Sequence, residues 1–233
     1  MLRANYLTHR SSGRVVLDAL ELEVAPREIV ALVGEAGAGK TATLECFLGL
    51  RAADAGGVCV AGYDVATEPA SAAAHVAAVP AQLALPERAS GLGYARTACA
   101  ERGQHLSDAV MHAGLLRAGV PLEWHRRRIA EYSPARRRQL ALAVATLKNA
   151  PALVIDDPVR DLEGAELDHF VASLRRLRKR GRAILLATRE LDFARRLATR
   201  IVLMENGTVL EVIDPNTSRQ RFKADSYLAE LVG

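Results

Sequence analysis

The apolar run Glu28-Ile29-Val30-Ala31-Leu32-Val33 leads into Gly34-Glu35-Ala36-Gly37-Ala38-Gly39-Lys40-Thr41, and Thr43-Leu44-Glu45-Cys46-Phe47-Leu48 follows at helical spacing. A buried strand that passes through a loop of small residues straight into a helix constrains the chain to an α/β fold. The loop matches G-x-x-x-x-G-K-[ST] at every fixed position. Small residues let backbone N–H groups converge on phosphate oxygens, Lys40 brings a positive charge to the terminal phosphates, and Thr41 offers a hydroxyl to Mg²⁺. Glycine at 34, 37 and 39 is expected to remove side chains that would block that approach. Gly34 through Ala42 are therefore the candidate nucleotide-binding residues, the alternative being a chance glycine-rich turn on a strand-to-helix crossover.

The 233 residues, half of them hydrophobic, suit one large α/β domain or a domain with an inserted lobe. No apolar stretch approaches the ~20 residues of a membrane span, and Met1 to Arg14 is polar and basic without a signal core, so a cytoplasmic location is expected. Cys46, Cys59 and Cys99 are too scattered for a disulfide framework and read as small core residues. The net charge of +4 comes mainly from arginine, clustered at 126–128, 136–138 and 175–182. Such runs fit solvated helix faces, nucleic acid or anionic lipid. The same runs, with Trp124-His125 beside the first, motivate a nucleic-acid reading, but no recognised nucleic-acid module accompanies them and no nucleic-acid partner is expected.

Along the chain, Val15 to Val24 reads as two short strands, Gly57 to Gly62 as another, and His75 to Val79 as a buried strand stopped by Pro80. From about Pro86 to Ser133 the pattern is helical, with helices over Leu92–Arg102, Leu106–Gly119 (Val110, Leu115 and Leu116 on one side) and Pro121–Tyr132. This segment is expected to be an inserted helical lobe. Ser133 and Pro134 form a helix start, and Ala152-Leu153-Val154-Ile155 is a strand delivering Asp156-Asp157 to its C-terminal end, where α/β ligand sites lie. Leu167, Phe170, Val171, Leu174 and Leu177 form a helical stripe closed by Gly181; Ala183 to Ala187 is a buried strand; Asn206-Gly207 joins a hairpin. Residues 1–219 are expected to form one unit and 220–233 a short tail with an amphipathic turn or two. His105, His112 and His169 fall on predicted helices and read as surface or packing residues.

This order of parts resembles the nucleotide-binding domain of ATP-binding cassette (ABC) transporters over roughly Val15 to Ile213, and Leu48-Gly49-Leu50, Val60-Ala61-Gly62-Tyr63-Asp64-Val65 and Leu140-Ala141-Leu142-Ala143 look most like the separate ATPase subunits of ABC-2-type exporters. The resemblance implies a P-loop NTPase core with an antiparallel β subdomain and an inserted helical subdomain. It implies ATP and Mg²⁺ as cofactors, with Thr41, Asp156 and Gln82 as metal-site residues. It also implies a homodimer or a heterodimer with another ABC ATPase, a separate transmembrane permease docked on the helical lobe, and a location peripheral to the inner face of the cell membrane.

Several positions depart from the family pattern. Asp157 stands where the family has a glutamate base; the carboxylate is shorter by one bond, ~1.5 Å, and losing base catalysis costs on the order of 10²–10⁴ in rate. Arg189 follows Thr188 where the family has a histidine, and a guanidinium fork suits a phosphate or Asp157 without matching imidazole shape. The family's Leu-Ser-Gly-Gly-Gln peptide, which touches ATP on the opposite subunit, is Tyr132-Ser133-Pro134-Ala135-Arg136; Ser133 keeps the hydroxyl, while Pro134 loses an N–H. Gln82 sits one residue later than the usual glutamine, Ala42 replaces a second hydroxyl, and Val159-Arg160-Asp161-Leu162-Glu163 replaces the usual loop ending. No adenine-stacking aromatic is evident: Ser11 holds the nearest expected position, and Tyr6 and His9 lie upstream. The expected function is an ATP-binding transporter subunit with slow hydrolysis through Asp157 and Arg189; the alternative is a pseudo-ATPase acting as a nucleotide-dependent structural or regulatory subunit.

Overall fold

A computed structural model of the chain describes residues 1–215. Strand β1 (Leu2–Ser11) turns through Ser12-Gly13, both at positive φ, into β2 (Arg14–Val24). In the sequence no alternation marks a strand before Val15, and Val15 to Val24 reads as two short ones. Bulges explain the difference: Tyr6 and Ala19 sit at φ 47° and 45°, so the buried residues run Leu2, Ala4, Leu7 and Leu17, Leu20, Leu22, Val24. Each bulge shifts the two-residue alternation by one and hides the strand from a periodicity search.

Next come β3 (Ile29–Val33), α1 (Lys40–Phe47), β4 (Ala55–Val60), β5 (Tyr63–Asp64), α2 (Pro69–Ala74) and β6 (Val76–Val79). They are followed by α3 (Gly91–Ala100), α4 (Asp108–Arg117), α5 (Pro134–Leu147), β7 (Ala152–Asp156) and α6 (Gly164–Lys179). The described part ends with β8 (Ala183–Thr188), α7 (Leu191–Leu197), β9 (Arg200–Glu205) and β10 (Thr208–Ile213), the last two joined by Asn206-Gly207 at φ 46° and 81°. The short tail expected over 220–233, with its amphipathic turn or two, lies outside the described residues.

Two sheets result: an antiparallel one in the order β2-β1-β4-β5, and a six-stranded one in the order β10-β9-β3-β8-β7-β6, parallel except for β10. Alternate residues of the parallel strands feed two cores. Ile29, Ala31, Leu153, Ile155, Ile184 and Leu186 pack with Leu142, Phe170, Leu174 and Phe193 of α5, α6 and α7. Val30, Leu32, Val154, Leu185 and Val202 pack on the other face with Leu44 and Phe47 of α1 and with Leu2, Leu7 and Leu20 of the antiparallel sheet. A strand buried on both faces must read as an unbroken apolar run, which is why β3, β7 and β8 are legible in the sequence.

A third core joins α3, α4 and α5 through Leu92, Ala95, Cys99, Met111, Leu115, Leu140 and Val144. Helix α5 thus lies between two cores, buried nearly all round, and carries its own cap: Ser133 Oγ accepts from Arg136 N at 3.2 Å. On α4, Met111, Gly114 and Leu115 face inward, while Val110 and Leu116, expected on the apolar side, are exposed. The helix expected over Pro121–Tyr132 is instead two single 3₁₀ turns, Leu122–Trp124 and Ile129–Glu131. Its backbone bonds sideways: Ile129 N donates to Ala89 O at 2.9 Å and Leu92 N to His125 O at 2.8 Å. His105 lies in the α3–α4 connection rather than on a helix, His112 is on α4 and His169 on α6. All three cysteines are free; Cys46 and Cys99 are buried, and burial pushes the Cys46 thiol up to about 11.

Candidate nucleotide-binding site

Strands β3, β8 and β7 are neighbours in parallel register, with Val33 beside Thr188 and Asp156 beside Ala187, so their C-terminal ends open onto one edge. A cavity of about 410 Å³ sits there. Ala36, Gly37, Gly39, Lys40, Thr41 and Ala42 form one wall; Asp156, Asp157 and Arg189 form the other. Gly34 and Ala38 are buried beneath the loop.

The loop glycines have different causes. A Cβ on Gly34 would lie 2.2 Å from Met204 O, and one on Gly39, at φ 96°, would lie 2.8 Å from Leu17 Cδ2 and 2.9 Å from Val16 O. Packing against β9 and β2 by itself requires glycine at these two positions, and Gly39 also lines the cavity. Gly37, at φ 88°, has open space where its Cβ would be and faces the cavity.

Lys40 is 9% exposed, and its Nζ donates to Gly34 O at 2.7 Å and Glu35 O at 2.8 Å, curling the loop around the ammonium. Burial lowers its pKa from the ordinary lysine value, opposed by the charges of Asp156 and Glu35. Thr41 Oγ1 donates to Asp156 Oδ2 at 3.0 Å. Burial raises the Asp156 carboxyl, the Thr41 bond lowers it, and the neighbouring Asp157 raises it further. A hydroxyl and a carboxylate side by side, next to a loop shaped for phosphates, form a hard oxygen donor set that fits Mg²⁺ shared with phosphate oxygens. Among the described residues no group of three or more His, Cys, Asp or Glu side chains could hold a metal by itself.

Asp157 adopts φ 44°, and its N–H donates to Ala187 O at 2.9 Å, so the backbone aims this carboxylate from a left-handed turn at the end of β7. Arg189 shares the cavity with Asp157, but no hydrogen bond or ion pair joins them. Gln82 is exposed and does not line the cavity; Ala81, just before it, does. Tyr6 is 64% exposed, and His9 Nδ1 donates to Ala52 O at 2.9 Å, so neither aromatic reaches the site. Val16 of β2 lines it instead, without any sequence signal of its own.

Ser133 lines a separate cleft of about 630 Å³ with Arg160, Asp161 and Glu190. In the same peptide Arg136 lies over the Trp124 ring, 3.8 Å from its centroid, and the Tyr132 hydroxyl donates to Trp124 O at 2.6 Å; burial pushes that phenol up to about 12. Arg138, two residues on, is 1% exposed and donates to Pro80 O, Ala81 O and Asp161 Oδ2 at 2.8, 2.9 and 3.1 Å. The capped helix α5 is thereby fastened to the cavity wall at Ala81. In the sequence Arg138 belongs to an arginine run that reads as a solvated helix face, because its partners Pro80, Ala81 and Asp161 lie 58, 57 and 23 residues away.

The model of the family described as ABC transporter matches residues 17–160, most of the chain. The chain belongs to the ABC transporter family. Among its relatives, the doxorubicin resistance ATP-binding protein DrrA of Mycobacterium tuberculosis is 27% identical over 97% of this chain and 68% of its own length. A putative ABC transporter ATP-binding protein of Streptomyces avermitilis is 35% identical over 85% of this chain and 35% of its own, so the chain spans about a third of that relative. The structure of the ATP-binding subunit of an ABC transporter superposes with a TM-score of 0.88 at 25% identity, covering 100% of both chains. A dimeric bacterial ABC transporter cassette, 17% identical and covered over its whole length by 93% of this chain, shares the fold at a TM-score of 0.84. These matches place the chain among the ATP-binding subunits of the family, with the mixed α/β P-loop core expected from the sequence. No helix among the described residues is long and apolar enough to cross a membrane.

Proposed function

We propose that this chain holds Mg²⁺-ATP in the cavity at the ends of β3, β7 and β8, pairs with a second ABC ATPase or a second copy of itself, and drives a separate membrane permease, with slow hydrolysis. The observation that carries the reading is the convergence on one cavity of Lys40, the Thr41–Asp156 pair, Asp157 and Arg189. Bound Mg²⁺ would be held by Thr41 and Asp156 and would neutralise charge developing on the terminal phosphates. Lys40 and the loop N–H groups orient those phosphates; Asp157 accepts a proton from an attacking water; Arg189 offers a guanidinium to phosphate oxygens. Asp157 has less reach than a glutamate, and Arg136 is engaged by Trp124 in the peptide expected to touch a partner's ATP, so turnover is slow. The helical segment of about 86–133 takes up the permease at the inner face of the membrane, and nucleic acid has no part.

Equilibrium binding of ATP to the purified chain tests this. Binding should need Mg²⁺ for full strength and weaken at least ~10-fold in Lys40→Ala, the loss of one charge-assisted phosphate contact. Equal affinity in the wild type and Lys40→Ala would remove the assignment. Turnover, however slow, should disappear in Asp157→Asn; a turnover rate untouched by that change would exclude Asp157 as the base.

A further inference from the structure

Helices α4, α5 and α6 enclose a groove of about 330 Å³ that shares no lining residue with the nucleotide cavity. Leu142 and Leu177 give it an apolar floor; Arg117, His169, Arg176 and Arg180 surround it, and no carboxylate lines it. Its polar wall is built rather than incidental. Ser173, 6% exposed, donates to His169 O at 2.9 Å and accepts from Arg176 at 2.7 Å. Arg176 and His169 Nε2 also donate to the carbonyl of Arg117, the last residue of α4, at 2.8 and 3.1 Å. These bonds hold the Arg176 plane in place and leave most of its N–H donors unspent. The guanidinium groups of Arg117 and Arg180 make no hydrogen bond or ion pair with any other described residue.

Like charges gathered without a counter-ion repel each other, and an anion between them reverses the sign. A guanidinium fork matches carboxylate and phosphate alike. A phosphate monoester carries close to two negative charges and three acceptor oxygens, so it can engage several forks at once where a carboxylate engages one or two. The lining adds the second requirement, because an inorganic ion would leave the apolar wall formed by Ala118, the Thr146 methyl, the edge of Leu177 and the arginine stems uncovered.

We propose that this groove binds a phosphate monoester with an apolar body, its phosphate gripped by Arg117, Arg176 and Arg180 and its body laid against Ala118, Thr146 and Leu177. Because Arg117 belongs to the helical segment and Arg176 and Arg180 to the body of the fold, such a ligand bridges the two.

Phenyl phosphate titrated calorimetrically into the full chain is the direct test, with inorganic phosphate as the control lacking an apolar body. Saturable binding at millimolar or lower concentration is expected, retained in Lys40→Ala, at least fivefold tighter than inorganic phosphate, and weakened tenfold or more in the Arg117→Gln/Arg180→Gln double variant. Those two guanidiniums hold nothing else in the fold, so the variant should melt at the wild-type temperature. Absence of saturable binding, equal affinity for inorganic phosphate, loss in Lys40→Ala or indifference to the double variant would each overturn the proposal. Sedimentation with phosphatidylcholine vesicles containing phosphatidic acid identifies the source of the ester. Binding lost in the double variant assigns a lipid; binding of phenyl phosphate alone assigns a soluble ester.

Discussion

At the scale of single residues, the phosphate loop is fixed as much by its neighbours as by its ligand. Gly39 combines a left-handed φ with close approach to Leu17 and Val16, whereas Gly37 has only the left-handed φ. Gly39→Ala should therefore lower stability by about 2–3 kcal/mol and Gly37→Ala by about 1 kcal/mol, the difference being overpacking. Urea unfolding of the two variants reads the gap directly; equal losses would mean that backbone conformation, not packing, dictates Gly39. The motif pattern exposed all these positions at once, because the loop is local in sequence. It could not separate their causes, since Met204 and Val16 arrive from β9 and β2.

At the scale of elements, two polar contacts tie the helical segment together and to the body. His125, fully buried, uses Nε2–H to donate to Val120 O at 2.9 Å, so its Nδ1 accepts from His112 Nδ1 at 2.6 Å. Burial, with His112 adding to it, lowers the His125 pKa below the usual imidazole value; the Val120 bond and Glu123 act in the opposite direction. The unfolded chain then binds more protons as pH falls below about 6.5. Stability contributed here is complete above that pH and declines below it, and His125→Gln should flatten the decline in melting temperature between pH 7 and 5. A curve that stays as steep in the variant would locate the acid sensitivity elsewhere.

Arg138 is the second tie, from α5 to Ala81 and Asp161. Arg138→Met keeps the volume but strips two carbonyls and a carboxylate of their donor, and should cost about 2–4 kcal/mol. Thermal melting checks the loss, and faster amide exchange at residues 81–83 would show that the cavity wall loosens with it; unchanged exchange there would detach α5 from the site.

For the whole molecule, what was legible followed from where each signal resides. Strands buried on both faces announce themselves as apolar runs, and the Ser133 cap and the Asn206-Gly207 turn are written in adjacent residues. The β1–β2 hairpin was hidden by bulges, and the segment 121–132 was misread as a helix because its backbone partners are Ala89 and Leu92. Val16 at the nucleotide cavity and the Arg117–Arg180 groove depend on tertiary proximity that no local pattern records.

The same convergence of distant segments sets the central claim, that the cavity is built to hold Mg²⁺-ATP longer than to consume it. The rate at which the purified chain converts saturating Mg²⁺-ATP to ADP tests it most directly, measured with the permease where that co-purifies. Against a typical enzymatic turnover of ~10 s⁻¹, weakened base catalysis predicts a rate at least ~10²-fold lower, with intact ATP recovered from the protein after several seconds. Turnover at ~10 s⁻¹ would contradict the account.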